Sequence, residues 1–95
     1  MIERHVLITS DAGVHARPAM ILVKEAARYR SRIHLIKDNA EADCKSIMSV
    51  LGLGITSGSV VIVRAEGEDE SEAVQGIADL IENNFMINEE VSKKN

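Results

Sequence analysis

Apolar side chains recur along this chain with two periods, and the switches between them lay out its elements. Residues 2–9 alternate: Ile2, Val6 and Ile8 fall on one face, Glu3, His5, Leu7 and Thr9 on the other. That is the pattern of a strand with one buried face. From about 16 to 28 the spacing turns helical, with Ala19, Leu22, Val23, Ala26 and Tyr29 on one stripe. Ser31–Lys37 alternates again, Ile33 and Leu35 inward, Arg32 and His34 outward. Asp38-Asn39 reads as a tight turn, because Asn tolerates positive φ. Ala40–Cys44 is a short third strand whose small Ala42 and Cys44 suit close packing under a helix. Ser46 to about Leu51 reads as a short helix capped by Ser46. Ser59–Glu66 is the most β-branched run and reads as a central strand, with Val61, Val63 and Ala65 facing in and Val60, Ile62 and Arg64 facing out. Asp69-Glu70-Ser71-Glu72 opens a last helix, Asp69 and Glu72 being spaced for a capping box. Its buried stripe is Ala73, Val74, Ile77, Leu80, Ile81 and Phe85. The order is β-α-β-β-α-β-α, an α+β chain whose helices must cover one sheet face. Residues 1–95 read as a single domain, with 87–95 a polar tail expected to fray.

With one Phe, one Tyr and no Trp, the core must be aliphatic. The same shortage leaves no stacking platform for single-stranded nucleic acid. A net charge of −4 argues against a general nucleic-acid binder, although Arg17, Lys24 and Arg28 can form a local basic patch. Cys44 is the only cysteine, so no internal disulfide is possible, in keeping with a reducing compartment. It reads as a small buried apolar group rather than a reactive thiol. The start has no signal-peptide stretch and no apolar run approaches the ~20 residues a membrane helix needs. The expectation is a cytoplasmic protein with no membrane insertion.

The stretch that carries chemistry is Gly13-Val14-His15-Ala16-Arg17-Pro18, between the first strand and the first helix. The first turn of a helix has backbone N–H groups without internal partners, at the positive end of the macrodipole. Such a place attracts anions, phosphate above all. Pro18 is tolerated in a first turn. Propensity alone starts the helix at Pro18. A start two residues earlier makes His15 the cap and frees the amides of Ala16 and Arg17, and this second reading is favoured. The plain alternative is that His15 is a loop residue near a helix start. Neutral imidazole is a nucleophile poised near neutral pH, and a positive helix end disfavours its protonated form. Arg17 offers a planar guanidinium suited to phosphoryl oxygens. Met20 and Ile21 lie off the core stripe, near Lys24; they suit a contact surface or a wider stripe equally. His5 and His34 have no partners at ligand spacing and read as solvent-facing strand residues, so no metal site is expected.

Gly-Val-His-Ala-Arg-Pro-Ala at 13–19 resembles the active-site signature of the HPr family, the histidine-containing phosphocarriers of the bacterial sugar phosphotransferase system. Lys45-Ser46-Ile47-Met48, with Leu53-Gly54-Ile55 after it, resembles the family's regulatory-serine segment. Ala65–Glu70 resembles the junction of its last strand and last helix. Each motif alone is weak; the three lie at family-like spacing and cover about residues 2–85. The resemblance implies an open-faced sandwich, a four-stranded antiparallel sheet with three helices on one face. It implies a stoichiometric carrier rather than an enzyme, with no cofactor. His15 would take a phosphoryl group on Nδ1 from phospho-Enzyme I and pass it to IIA domains of sugar permeases. Arg17 and the amides of Ala16 and Arg17 would hold the phosphoryl oxygens in a shallow, open site.

For Ser46 the structural reading is a helix cap. The resemblance adds phosphorylation by an HPr kinase/phosphorylase, which would place negative charge beside the docking patch. Ile47, Met48 and Leu51 share the outer face of the short helix and, with Met20, Ile21 and Lys24, would form a patch around His15. Methionines suit a surface that meets several partners: Enzyme I, IIA domains and, in regulated types, a transcription factor. The chain is expected to act as a monomer. The alternatives are a same-fold carrier of a nitrogen-regulatory branch, or a regulatory module that binds through phospho-Ser46. Related regulatory proteins lack the active histidine, which this chain keeps.

Overall fold

The structure is a computed structural model and describes residues 1–11 and 13–85. The elements follow the expected order: β1 (Ile2–Leu7), α1 (Ala16–Ala26), β2 (Arg32–Lys37), β3 (Ala40–Asp43), α2 (Ile47–Gly52), β4 (Val60–Glu66) and α3 (Glu70–Glu82). The strands form one antiparallel sheet in the order β1-β4-β2-β3. The β-branched strand is therefore central, flanked by β1 and β2. Its register sets Val6 opposite Val61 and Leu35 opposite Val63, so the inward residues of adjacent strands share one face.

That face is dry. Val6, Ile8, Ile33, Leu35, Val61, Val63 and Ala65 are buried together with Ala19, Leu22 and Ala26 of α1, Val50 of α2, and Ala73, Ile77 and Ile81 of α3. One cluster thus takes residues from all three helices and from a single side of the sheet, so the helices lie on that side. The opposite face carries Glu3, His5, Arg64 and His34, with Arg64 bridging Glu3 at 2.6 Å and Glu41 at 3.7 Å. Such exposed pairs steer register more than they stabilise. His5 is exposed as expected, whereas His34 is half-buried, 3.9 Å from Glu41. Cys44 is buried, its amide donating to Ile33 O at 2.9 Å, and burial pushes its thiol pKa well up. No helix among the described residues is long and apolar enough to cross a membrane.

Four local expectations are corrected. The left-handed residue of the β2–β3 turn is Asp38 (φ 55°), not Asn39; Asp also tolerates that region. The capping box at α3 is not made: Asp69 is the N-cap but makes no side-chain cap bond. Its carboxylate instead accepts from the Arg30 and Ser31 amides, both at 2.9 Å, and from the Ser31 hydroxyl. Ser31 accordingly lies outside β2, which begins at Arg32. Tyr29 is not a plain member of the apolar stripe, since its hydroxyl donates to Glu25 Oε2 at 2.7 Å. Partial burial, then the Glu25 carboxylate, push the phenol pKa up to about 12. The tail expected to fray at 87–95 lies outside the described residues.

Candidate functional site

The sequence places a glycine, a buried valine and a histidine between β1 and α1, and the fold uses each differently. Ile8, just past β1, is stitched to the start of β4: its amide donates to Ser59 O, and its carbonyl accepts from Gly58 N, both at 2.8 Å. The chain then turns, Gly13 N donating to Ser10 O at 2.9 Å. Val14 points into the core, 4 % exposed. His15 follows as the N-cap of α1 in extended conformation (φ −99°, ψ −160°), and its carbonyl accepts from Ala19 N at 2.9 Å. The helix therefore begins at Ala16, the earlier of the two expected starts. Pro18 is buried in the first turn, where its lack of an N–H costs nothing.

His15, Ala16 and Arg17 are all exposed. The His15 side chain makes no cap bond. Among the described residues neither it nor Arg17 makes a hydrogen bond or ion pair, and the Ala16 and Arg17 amides, first-turn donors, have no partner. An imidazole, a guanidinium and two free backbone donors thus sit at the positive end of an eleven-residue helix. Arg17, Met20 and Lys24 follow one exposed ridge of α1. The Arg28 guanidinium is paired with Glu25 at 3.2 Å, so of the three basic residues only Arg17 and Lys24 are without a carboxylate partner among the described residues.

The structure divides the expected patch. Met20 is 55 % and Met48 74 % exposed. Ile21, Ile47 and Leu51 are half-buried and pack against the core. Of the two readings, the wider core stripe fits Ile21 and does not fit Met20. Because α1 and α2 pack against each other, the two exposed methionines stand on adjoining helices. Ser46 is the N-cap of α2, its Oγ accepting from Ser49 N at 3.4 Å, a long bond. Val50 is the buried residue of that helix.

One contact at the site has no local signal. Val14 N donates to Ile55 O at 3.0 Å, tying the histidine loop to the segment that follows α2. Gly13 precedes His15 by two residues and reads as loop by composition alone; nothing in its neighbourhood announces a partner forty positions on.

Comparison with known proteins agrees with this geometry. Residues 2–83 match the family model described as the PTS HPr component phosphorylation site. The chain belongs to the HPr family. It is 40 % identical to the HPr-like protein Crh of Halalkalibacterium halodurans over 82 residues, 86 % of this chain and 98 % of that one. It is 39 % identical to the phosphocarrier protein HPr of Treponema pallidum over 85 residues, 90 % of this chain and 97 % of that one. A crystal structure of HPr from Thermoanaerobacter tengcongensis superposes with a TM-score of 0.86 at 44 % identity, covering 90 % of this chain and 96 % of that chain. HPr proteins are phosphocarriers, not catalysts that turn over a substrate.

Proposed function

We propose that this chain carries a phosphoryl group on His15, accepting it from phospho-Enzyme I and handing it to IIA domains of sugar permeases. The observation that supports this best is the exposed, uncommitted His15 at the N-cap of α1, beside two free amides and Arg17. In the first step the Nδ1 lone pair attacks phosphorus in line, and the N–P bond to the donor histidine breaks as the new one forms. Charge spreads over the phosphoryl oxygens, so positioning and electrostatics do most of the work. Arg17 and the Ala16 and Arg17 amides supply fixed donors to those oxygens. The openness of the site suits a carrier, which must release what it binds. One chain holds the whole constellation, and the proposal needs no second copy. Met20, Met48 and Lys24 supply the docking surface, with Ile21, Ile47 and Leu51 behind it.

The test is incubation with Enzyme I and phosphoenolpyruvate. The expected product is one acid-labile phosphate on His15, transferable to a IIA domain. No modification at His15 would overturn the reading.

The likeness of Lys45-Ser46-Ile47-Met48 to the family's regulatory-serine segment supports a second role for Ser46, regulatory phosphorylation. A phosphate on the N-cap of α2 is compatible with the helix and adds almost two negative charges on the element that carries Met48. It would slow phosphorylation by Enzyme I and create a determinant for a transcription factor. Treatment with an HPr kinase/phosphorylase and ATP tests this; a Ser46 left unmodified would count against it.

A further inference from the structure

The residues that touch the phosphoryl group do not by themselves explain how His15 is held. Among the described residues, its loop is anchored on its own side of the chain by the Gly13–Ser10 turn bond and the buried Val14 side chain. The remaining anchor comes from elsewhere. Gly13 packs directly against the backbone of the segment after α2. A Cβ built on it would collide with Ile55 O and stand 2.8 Å from Thr56 Cα and 3.2 Å from Ile55 C. All three are main-chain atoms, which cannot swing aside as a side chain can. Gly13 also sits at φ +69°, the left-handed region that side chains disfavour. The missing side chain lets the next amide, Val14 N, reach Ile55 O at 3.0 Å.

The receiving segment is itself held. Ile55 is buried, 3 % exposed. Lys37 Nζ donates to Gly54 O at 3.2 Å. Leu53 N and Gly54 N close the end of α2 on Val50 O and Leu51 O, both at 3.2 Å. Beyond it, Thr56 and Ser59 hydroxyls lie 3.2 Å apart and Ser59 O receives Ile8 N. The segment whose carbonyl meets Val14 is therefore tied to α2, to β2 and to the residue that follows β1.

We propose that the seam between Gly13-Val14 and the Ile55 carbonyl is the positioning device of the phosphoryl site. It rests on the reading of His15 as the acceptor. Gly13 and Val14 touch no phosphate. They set the place and direction of the N-cap residue that does, and of the two amides after it. A side chain at 13 must push the loop away from Ile55–Thr56 and carry His15 with it. A displacement of about 1 Å at a reacting group can cost a hundredfold in rate. The docking residues on α1 and α2 stay where they are, so the loss falls on the chemical step and not on binding.

The experiment measures phosphorylation by Enzyme I and phosphoenolpyruvate, with this chain as the varied substrate, alongside a thermal melt. In Gly13→Ala, kcat is expected to fall tenfold or more while KM stays within about twofold of the unsubstituted chain. A glycine of merely structural importance would lower the melting temperature and leave kcat of the folded molecules unchanged. A kcat within about twofold of the unsubstituted chain would overturn the proposal. Should Gly13→Ala fail to fold, a gentler probe decides. An ester in place of the Val14 amide removes the N–H and adds no bulk; Cys44 provides a ligation point for assembling such a chain. A threefold or greater drop in kcat is expected from that ester, in line with the loss of one hydrogen bond; unchanged kcat would overturn the seam. Failure of the unsubstituted chain to accept phosphate on His15 would overturn the function itself, and the seam with it, and is told apart by that control.

Discussion

Two helix starts in this molecule have the same outward form and opposite uses. The N-cap of α1 is His15 and that of α3 is Asp69, and neither side chain caps its own helix. At α3 this is because the carboxylate is committed across the fold. It accepts from the Arg30 and Ser31 amides and the Ser31 hydroxyl, and Gly67 makes room, since a Cβ there would lie 2.7 Å from Ser31 Oγ. Those donors, the Ser31 hydroxyl first, hold the Asp69 pKa down at about 2. The next residue, Glu70, accepts from Gly67 N and the Met1 ammonium, and these lower its pKa too. At α1 the corresponding groups are left open. His15 and Arg17 are exposed, and the Ala16 and Arg17 amides have no partner among the described residues. The lesson is that a helix start becomes structural when its polar groups find partners, and available for chemistry when they are left without them.

The largest expected effect breaks the α1 half of this contrast. His15→Ala should abolish acid-labile phosphate incorporation while the melting temperature changes little, since the exposed ring makes no bond. Loss of folding in that variant would show the ring to be structural after all. Next, Arg17→Ala should slow transfer about tenfold or more with the fold intact, the scale of one lost charge-assisted contact. Stopped-flow or quench-flow transfer rates check it, and an unchanged rate would remove Arg17 from the site. Ser46→Asp sharpens the picture from the neighbouring helix. It retains a capping side chain, so stability should hold, while the added charge raises KM for Enzyme I several-fold, an effect that salt should weaken. Smallest at the site itself is Asp69→Asn, which should leave transfer at the unsubstituted rate and lower stability near neutral pH. Because the folded pKa lies below the ordinary 3.8, the stabilisation by Asp69 is full above that value. It is lost as the pH falls toward 2. Melts against pH should therefore show the two proteins converging between about pH 4 and pH 2. A gap that stayed constant over that window would exclude the Asp69 charge as its cause.

Much of this was legible locally. Alternation in residues 2–9 and 59–66 placed Val6, Ile8, Val61, Val63 and Ala65 on the buried face, where they are. Helical spacing found Ala73, Val74, Ile77, Leu80 and Ile81 on the buried side of α3; Phe85 is buried too, but past the end of the helix at φ 64°, not on its stripe. Proline propensity alone started the helix at Pro18; placing His15 at the N-cap came from the chemistry that a free first turn offers a histidine. What failed did so in two places because a distant segment intervened, while the Tyr29 miss is local, its partner Glu25 lying four positions away. Asp69 and Glu72 have capping-box spacing, yet the carboxylate goes to residues thirty-eight and thirty-nine positions away. Tyr29 fits an apolar stripe, yet its hydroxyl has a carboxylate within reach. Gly13 reads as loop, although the backbone of Ile55 is what requires a glycine there.

By itself the sequence determined the kind and order of the elements, the face each one buries and the residues that stand at the start of α1. Those depend on periodicity and on groups within a few positions of one another. Only the tertiary structure decided which polar groups would be used up and which left open, because that depends on backbone from distant segments arriving within about 3 Å. The carboxylate at the start of α3 meets such a segment; the imidazole at the start of α1 does not. At the loop before α1, packing brings the Ile55 carbonyl up to Gly13 and Val14, while the His15 side chain is left exposed and without a partner among the described residues.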